Sequence, residues 1–190
     1  MSRGGRREIT ARKRARELAL QGIYQWLLHE FPPEEAREPI KLSLPDQPPQ
    51  AQLLAIEEIL ASAPLENDAQ DAKKTKPRTP PDAEFFAALL QGAVQEAPEA
   101  RTIIEPLLTR AVAELSPVEH AILLLAFFEL RHGIETPYRV IINEAIELAK
   151  KYGGSDGHRF INGVLDRLAG KLRPAEVATK RQQGSLGKGD

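Results

Sequence analysis

The chain has 190 residues, of which 42% are hydrophobic and 28% are charged, and its mean hydropathy is -0.36. This length and apolar content are enough for a domain with a buried core. The absence of cysteine excludes a disulfide framework and a thiolate metal site, and the N-terminus lacks the apolar run of a signal peptide. We therefore expect a cytoplasmic protein.

The formal net charge of -1 is unevenly distributed along the chain. Residues 1–16 carry seven basic side chains and one acidic side chain, a net charge of +6, and the remainder carries -7. A positive end on an acidic body favours binding to a polyanion.

The basic end leads into a predicted helix. Residues 1–10 are rich in Gly and Arg and are expected to be disordered, whereas residues 11–30 have helical periodicity. Basic side chains in the first turns oppose the helix dipole, which costs a few tenths of a kcal/mol each. Such an arrangement indicates a phosphate-binding site for RNA or DNA, the alternative being an ordinary solvated face. The candidate residues are Arg12, Lys13, Arg14 and Arg16.

One broad face of this helix is predicted to be buried, and it consists of Ala15, Leu18, Ala19, Gly22, Ile23, Trp26 and Leu27. The opposite face carries Lys13, Arg14, Glu17, Gln21, Tyr24 and Gln25. Tyr24 on that polar side is a candidate for stacking on a base or for contacting a protein partner. An ordinary tyrosine at the boundary between core and solvent would explain this position about equally well.

Residues 31–82 differ in composition and hold ten of the 15 prolines. Proline pairs exclude a regular helix interior at both ends of this segment. Leu53, Ile56 and Leu60 are spaced for one short amphipathic helix. The basic run at residues 73–78 could touch nucleic acid, although such a run is more often a solvated linker.

Helix signals follow in close succession. Asp82 is a predicted N-cap for a helix that extends to about Gln95. Pro98 is predicted to start a helix that buries Ile103, Ile104, Leu107 and Leu108 and ends near Glu105, before Pro106.

A central helix is predicted from Ser116 to Arg131. Ser116 and Glu119 form the pattern of a capping box with proline at the first helical position, and Gly133 is expected to end the helix in a left-handed conformation. Residues 121–128 are apolar on every face, so this helix must be surrounded by others.

Two more helices complete the pattern. Thr136 and Pro137 predict the start of a helix that extends to Tyr152 and ends at two glycines, and Ser155 or Asp156 is the predicted cap of the last helix. Their inward faces are predicted to hold Ile141, Ile142, Ala145, Ile146, Leu148 and Ala149, and then Phe160, Ile161, Val164, Leu165, Leu168 and Leu172. Gly163 is expected to permit close helix approach, and residues 174–190 are expected to be disordered. The predicted fold is an all-α, compact bundle of about seven helices.

Signals for catalysis are weak. The four histidines have no metal-binding spacing, and no nucleophile lies in a recognisable base context. The run at residues 153–158 lacks the preceding strand and the Gly-Lys-Ser/Thr ending of a phosphate-binding loop. We expect no enzyme activity, no metal and no cofactor.

Two stretches of the sequence resemble the NusB family of transcription antitermination factors. The first is the run ARKRARELALQGIYQW at residues 11–26. The second includes LSPVE at 115–119, PY at 137–138, INEAIELAK at 142–150 and FINGVLD at 160–166. The resemblance covers residues 11–30 and about 83–173, and it departs from the family in the long, proline-rich segment 31–82.

This resemblance implies a two-subdomain helical fold and binding to the boxA element of nascent ribosomal RNA, as single-stranded RNA. It also implies a heterodimer with the ribosomal protein NusE within an RNA polymerase antitermination complex, and it leaves a homodimer open. By family analogy the RNA contacts are Arg12, Lys13, Arg14, Arg16, Tyr152 and Asp156. The implied contacts with the protein partner are Glu119, Tyr24 and Tyr138.

Two other functions remain open from the sequence. One is the NusB-like RNA-binding domain that some ribosomal RNA cytosine methyltransferases carry, although no methyl-donor-binding domain follows in this chain. The other is a scaffold whose basic arm binds an acidic protein surface and not RNA. Binding to RNA with and without the ribosomal partner would distinguish them.

Overall fold

The structure is a computed structural model that describes residues 3–30 and 79–179. In these two ranges all regular elements are helices, as predicted. The chain divides into two units, residues 1–95 and 96–190, in agreement with the predicted two-subdomain fold. The helix expected at Leu53, Ile56 and Leu60 and the basic run at 73–78 lie outside the described residues. Among the described helices, none has the length and apolar content to cross a membrane.

The first unit contains α1 (Arg3–Glu30) and α2 (Ala83–Gln95). Helix α1 begins well before residue 11, so the prediction that all of residues 1–10 are disordered was wrong for residues 3–10. The added turns allow Glu8 to pair with Arg12 one turn later, at 3.9 Å. The predicted cap of α2 is confirmed, because the Phe85 amide donates to Asp82 Oδ1 at 3.1 Å.

The core of this unit lies between α1 and α2, which pack against each other. The buried apolar residues are Ala15, Leu18, Ala19, Leu20, Ile23, Leu27, Phe86, Leu89, Leu90, Ala93 and Val94. The buried arc of α1 is wider than its apolar stripe and includes Arg16 and Glu17. Trp26, predicted to be inward, is only half-buried.

The second unit contains α3 (Ala97–Ile104), α4 (Pro117–His132), α5 (Tyr138–Tyr152) and α6 (Gly157–Leu172). Two short 3₁₀ turns, Glu105–Leu107 and Val112–Glu114, connect α3 to α4. Helix α4 packs against α3, α5 and α6. Its side chains are buried without interruption from Glu119 to Phe127, which confirms the predicted central helix.

Helix α3 starts one residue before Pro98 and ends at Ile104, close to the predicted end. Ile104 is buried, but Ile103, Leu107 and Leu108 are half-buried, because the chain leaves the helix there and continues as a 3₁₀ turn. Pro106 lies within that turn, where no α-helical hydrogen bond is required of its nitrogen.

The two ends of α4 differ in how well they were predicted. The capping box is confirmed, because Ser116 Oγ accepts from the Glu119 amide at 3.2 Å and the Ser116 amide donates to Glu119 Oε2 at 3.0 Å. The left-handed stop at Gly133 was wrong, since its φ is -80° and its ψ is 53°. Glycine is required there for another reason. A Cβ atom would lie 2.7 Å from the Glu129 carbonyl oxygen.

Several details of α5 and α6 also differ from prediction. Pro137 and not Thr136 is the N-cap of α5, without a side-chain hydrogen bond of its own. Asp156 is the N-cap of α6 by position, but its carboxylate makes no capping hydrogen bond. Gly163 was expected to permit close approach, yet a Cβ atom at that position would meet nothing within 4 Å.

The inward faces of these two helices are largely as predicted. Helix α5 buries Tyr138, Ile141, Ile142, Ala145, Leu148 and Ala149, and α6 buries Gly157, Ile161, Val164, Leu165, Leu168 and Ala169. Three residues predicted to be inward, Ile146, Phe160 and Leu172, are half-buried.

The chain after α6 is ordered in part. Residues 174–179 are helical, so the prediction of disorder over 174–190 was wrong for them, and residues 180–190 lie outside the described part. Two side chains fix this segment. The Arg173 guanidinium donates to the Glu129, Leu130 and Thr136 carbonyl oxygens, and Glu176 Oε1 accepts from the Tyr138 amide at 3.0 Å. We call Arg173 and Glu176 the carboxy-terminal clasp.

Candidate nucleic-acid interface

The four predicted basic residues all lie on α1 but differ in exposure. Lys13 is exposed, Arg12 and Arg14 are half-buried, and Arg16 is only 5% exposed. An arginine with so little accessible surface has much less area available for contact with a phosphate than Lys13 or Arg12 has. Lys13 is therefore the most accessible of the four predicted phosphate contacts, and Arg16 is the least accessible.

The Phe85 ring at the start of α2 organises two of these arginines. The guanidinium carbon of Arg12 lies 5.3 Å from the centroid of the ring, and that of Arg16 lies 5.0 Å from it. Both distances are within the range of a cation–π interaction. Because Arg12 and Arg16 are one helical turn apart on α1, a single ring is able to hold both.

Ion pairs and one hydrogen bond further restrict the arginines. Arg12 Nε lies 3.8 Å from Asp82 Oδ2, which is an ion-pair distance but too long for a hydrogen bond. The Nε atom is buried and has no hydrogen-bond partner among the described residues. Arg14 Nη1 donates to the Thr79 carbonyl at 2.9 Å, which anchors the chain that enters α2.

The predicted RNA contacts of the second unit are Tyr152 and Asp156, at the turn between α5 and α6. Tyr152 is half-buried, and Lys151 Nζ lies 5.1 Å from the centroid of its ring. Asp156 has an 82% exposed side chain and pairs loosely with Arg159 at 3.6 Å. The turn thus presents an aromatic ring, a lysine and an exposed carboxylate. Glycine is needed at 153, where a Cβ atom would lie 2.6 Å from the Ala149 carbonyl oxygen.

Glu119, the predicted partner contact on α4, is buried and occupied by contacts within the chain. Its Oε2 atom accepts from the Ser116 amide and hydroxyl, and its Oε1 atom lies 2.8 Å from Arg110 Nη2. Burial raises the pKa of Glu119, but the Ser116 hydrogen bonds and the Arg110 charge together outweigh it, so the pKa is lowered below its usual value. The residue is therefore ionised at neutral pH.

Arg110 links this carboxylate to α6. Its guanidinium carbon lies 4.3 Å from the centroid of the Phe160 ring. A Cβ atom on Gly157 would lie 3.5 Å from Glu119 Oε1, so the start of α6 is close to the start of α4. No local pattern predicts this pairing, because Arg110 lies in an irregular segment.

The other two predicted partner contacts are less available than expected. Tyr24 is half-buried on α1, and Tyr138 is buried at 6% exposure. The Tyr138 hydroxyl accepts from Arg139 Nε at 3.1 Å. Tyr138 would therefore meet a partner only through a small part of its surface.

The structure keeps the four basic residues and Tyr24 in the first unit and places Tyr152, Asp156, Glu119 and Tyr138 in the second. From the sequence, Asp82 was identified only as a cap, and the contacts of Asp82 and Phe85 with Arg12 were not predicted. In the two described ranges no group of three His, Cys, Asp or Glu side chains is arranged to bind a metal ion.

Comparison with known proteins identifies relatives along nearly the whole chain. The NusB family model matches residues 50–170. The transcription antitermination protein NusB of Azoarcus sp. (strain BH72) is 45% identical over 179 residues, which cover 94% of this chain and 96% of that protein. The protein of the same description from Aromatoleum aromaticum is 47% identical over 171 residues, covering 90% and 96%.

Two solved structures share the fold. T. maritima NusB has a TM-score of 0.57 and 24% identity, with 87% of this chain and 96% of that chain covered. A crystal structure of the antitermination factors NusB and NusE in complex with dsRNA has a TM-score of 0.56 and 23% identity, covering 84% and 96%.

Proposed function

Because this chain belongs to the NusB family, whose relatives above are transcription antitermination proteins, we propose that it binds the boxA element of nascent ribosomal RNA. The complex with NusE would join RNA polymerase and suppress termination in the cytoplasm. As an antitermination factor, the chain is a regulatory protein and not an enzyme.

The observation that carries the RNA proposal is the basic start of α1. In a chain of net charge -1, residues 1–16 carry +6, and the first turn of α1 contains no acidic residue to favour the helix dipole. Arg12, Lys13, Arg14 and Arg16 lie more than two turns after the start of α1, beyond the reach of the helix dipole, so it is their excess of positive charge that favours a phosphate backbone. Tyr152 supports the proposal from the second unit, since single-stranded RNA is bound by stacking of bases on aromatic rings.

The protein partner that we propose is NusE. A solved NusB of the same fold was crystallised with NusE and dsRNA, which supports a ternary assembly. Because both oxygens of Glu119 are occupied, we expect this residue to act mainly by holding the start of α4 in place. We propose Tyr24 and the exposed edge of Tyr138 as the direct contacts with NusE. When NusE is absent, we propose that two copies of the chain form a homodimer through the same surfaces.

The two alternatives have less support. The antitermination relatives match this chain over 96% of their own length, which does not favour a methyltransferase fragment. A scaffold whose basic arm binds an acidic protein surface would also account for the charge of α1, but the antitermination relatives do not favour it.

A salt titration tests the RNA proposal. At roughly 0.7 per contact on a single strand, log K should fall with log salt at a slope of about -3 if all four basic residues meet phosphates, and of about -1.4 if only Arg12 and Lys13 do. Replacing Arg12 and Lys13 with glutamine should then flatten the slope by about 1.4. Binding is measured by fluorescence anisotropy with a single-stranded boxA oligonucleotide. The titration is repeated with a scrambled oligonucleotide and with a duplex.

A matched control removes the same charge from the other unit. Arg139→Gln with Lys171→Gln changes two exposed cations that lie outside the proposed interface. The control should leave the slope unchanged. Equal slopes for the wild type and the Arg12/Lys13 variant would remove α1 from the RNA site.

Asp156→Asn provides a second test, at the α5–α6 turn. The carboxylate makes no capping hydrogen bond, so we expect no measurable loss of stability. If Asp156 repels phosphate, its removal should tighten binding to boxA and scrambled RNA alike. If Asp156 instead accepts a hydrogen bond from a base, the variant should lose about 1–3 kcal/mol of discrimination between boxA and scrambled RNA, the scale of one base contact. Asp166→Asn, an exposed carboxylate on the same helix, is the control.

We expect repulsion, because Asp156 is 82% exposed on an acidic body and its one ion pair in the described part of the chain is the loose contact with Arg159. Unchanged affinity for both RNAs would place Asp156 outside the interface.

A further inference from the structure

The start of α2 contains two residues that contact the basic face of α1 and are not among the predicted RNA contacts. Phe85 lies under both Arg12 and Arg16, and Asp82 lies beside Arg12. Asp82 uses its two oxygens for different purposes. Oδ1 caps α2 by accepting from the Phe85 amide, and Oδ2 faces Arg12 Nε.

The Arg12 contact is an ion pair without a hydrogen bond. At 3.8 Å Asp82 attracts the guanidinium, but within residues 3–30 and 79–179 the buried Arg12 Nε donor has no acceptor. The Arg12 side chain is 43% exposed and Glu8 pairs with it only at 3.9 Å, so an external anion is able to compete for it. A phosphate would bind the exposed part of the Arg12 guanidinium, since the buried Nε atom is out of its reach, and would replace the charge that Asp82 supplies.

We propose that Asp82 and Phe85 are positioning residues of the nucleic-acid interface, and that Asp82 is an internal counter-ion of Arg12 that an RNA phosphate displaces. Phe85 holds the guanidinium groups of Arg12 and Arg16 at a fixed place on α1, which lowers the entropy lost on binding. Asp82 keeps Arg12 neutralised until RNA arrives and so limits affinity for any polyanion. This inference rests on the proposed RNA-binding function of α1.

Asp82→Asn separates the counter-ion from the cap. Asparagine caps helices about as well as aspartate and retains the Oδ1 acceptor, so thermal unfolding should be unchanged. Loss of the Oδ2 charge should tighten binding to boxA and scrambled RNA by about two- to fivefold, the range of one exposed ion pair. Because Arg12 then meets phosphate without competition, the salt slope should steepen by up to about 0.7.

The control is Glu84→Gln, which removes the same charge from an exposed position in the first turn of α2. A general electrostatic effect would give equal gains for Asp82→Asn and Glu84→Gln, and that result would overturn the counter-ion proposal. In the presence of Arg12→Gln, the gain from Asp82→Asn should disappear. Its persistence would likewise contradict the proposal.

Phe85→Leu tests the positioning role. Leucine keeps an apolar side chain at this half-buried site but removes the aromatic face, so RNA binding should weaken while the helical circular dichroism is retained. Unchanged RNA affinity of a folded Phe85→Leu variant would overturn that role. If Arg12→Gln with Lys13→Gln has no effect on RNA binding, α1 is not part of the RNA site, and the proposed RNA interface on which this inference rests fails. If that double variant binds RNA weakly but Asp82→Asn binds RNA with the affinity of the wild type, only the present inference fails.

Discussion

Replacing Arg173 with alanine is expected to lower the free energy of unfolding by about 3 kcal/mol, because several charge-assisted hydrogen bonds are lost together. The guanidinium donates to the Leu130 carbonyl at 2.6 Å and to the Glu129 carbonyl at 3.0 Å, which are among the last carbonyls of α4. A third bond reaches the Thr136 carbonyl at 2.8 Å. The Arg173 side chain is only 9% exposed, so water cannot fully replace these donors.

Chemical denaturation followed by circular dichroism measures this loss. Arg173→Lys keeps the charge but not the planar fork, so it should recover less than half of the lost stability. Lys171→Ala removes an exposed cation two residues earlier and should change stability by less than about 0.5 kcal/mol. A loss of similar size in Arg173→Ala and Lys171→Ala would show that the clasp does not stabilise the fold.

The clasp also illustrates what the sequence could and could not predict. Helix α4 begins with Ser116, Pro117 and Glu119, whose signals lie within four residues, so its start was predicted correctly. The contact from Arg173 to Leu130 spans 43 residues along the chain, and no local pattern encodes it. The polar composition after α6 predicted disorder, whereas the hydrogen bonds of Arg173 and Glu176 order residues 174–179.

The same distinction applies to the candidate site. Charge counting located the basic start of α1, because an excess of arginine over a short segment is visible in the sequence alone. The burial of Arg16 and the contacts of Arg12 with Phe85 and Asp82 depend on how α2 packs against α1. Asp82 was predicted as a cap, and only the position of its second oxygen indicates a further role.

The contacts of the candidate site residues in the second unit were also only partly predictable from the sequence. Glu119 was predicted from family resemblance as a partner contact, and the capping box was predicted from its spacing to Ser116. Its remaining oxygen is taken by Arg110, which lies in the irregular chain before α4. Periodicity gives no orientation for such a residue, so its stacking on Phe160 was not predictable.

Acidification is expected to destabilise the second unit through His120 on α4. This side chain is buried, and its Nε2 atom accepts from Arg101 Nε at 3.2 Å. Burial, and to a lesser degree the Arg101 charge, lowers the pKa of His120 from 6.5 to about 4. The imidazole is therefore neutral in the folded protein over a range in which the unfolded chain binds a proton.

The direction in which pH changes the free energy of unfolding follows from the protons that His120 binds in the folded and unfolded states. Above the unfolded pKa of 6.5, His120 is neutral in both states and its contribution to stability is fully present. Between that value and the folded pKa of about 4, only the unfolded chain gains a proton, so the free energy of unfolding falls with pH. We expect a loss of about 2.5 kcal/mol from this residue when the pH is lowered from about 7 to about 4.5.

His120→Gln isolates this contribution. Glutamine retains an acceptor for Arg101 but does not titrate, so the wild type should lose about 2.5 kcal/mol more than the variant between about pH 7 and pH 4.5. Glu119, whose pKa is also lowered, is present in both proteins, so its contribution cancels in the difference. The measurement is urea denaturation at each pH. Parallel stability curves for the two proteins would show that His120 is not held neutral by the fold.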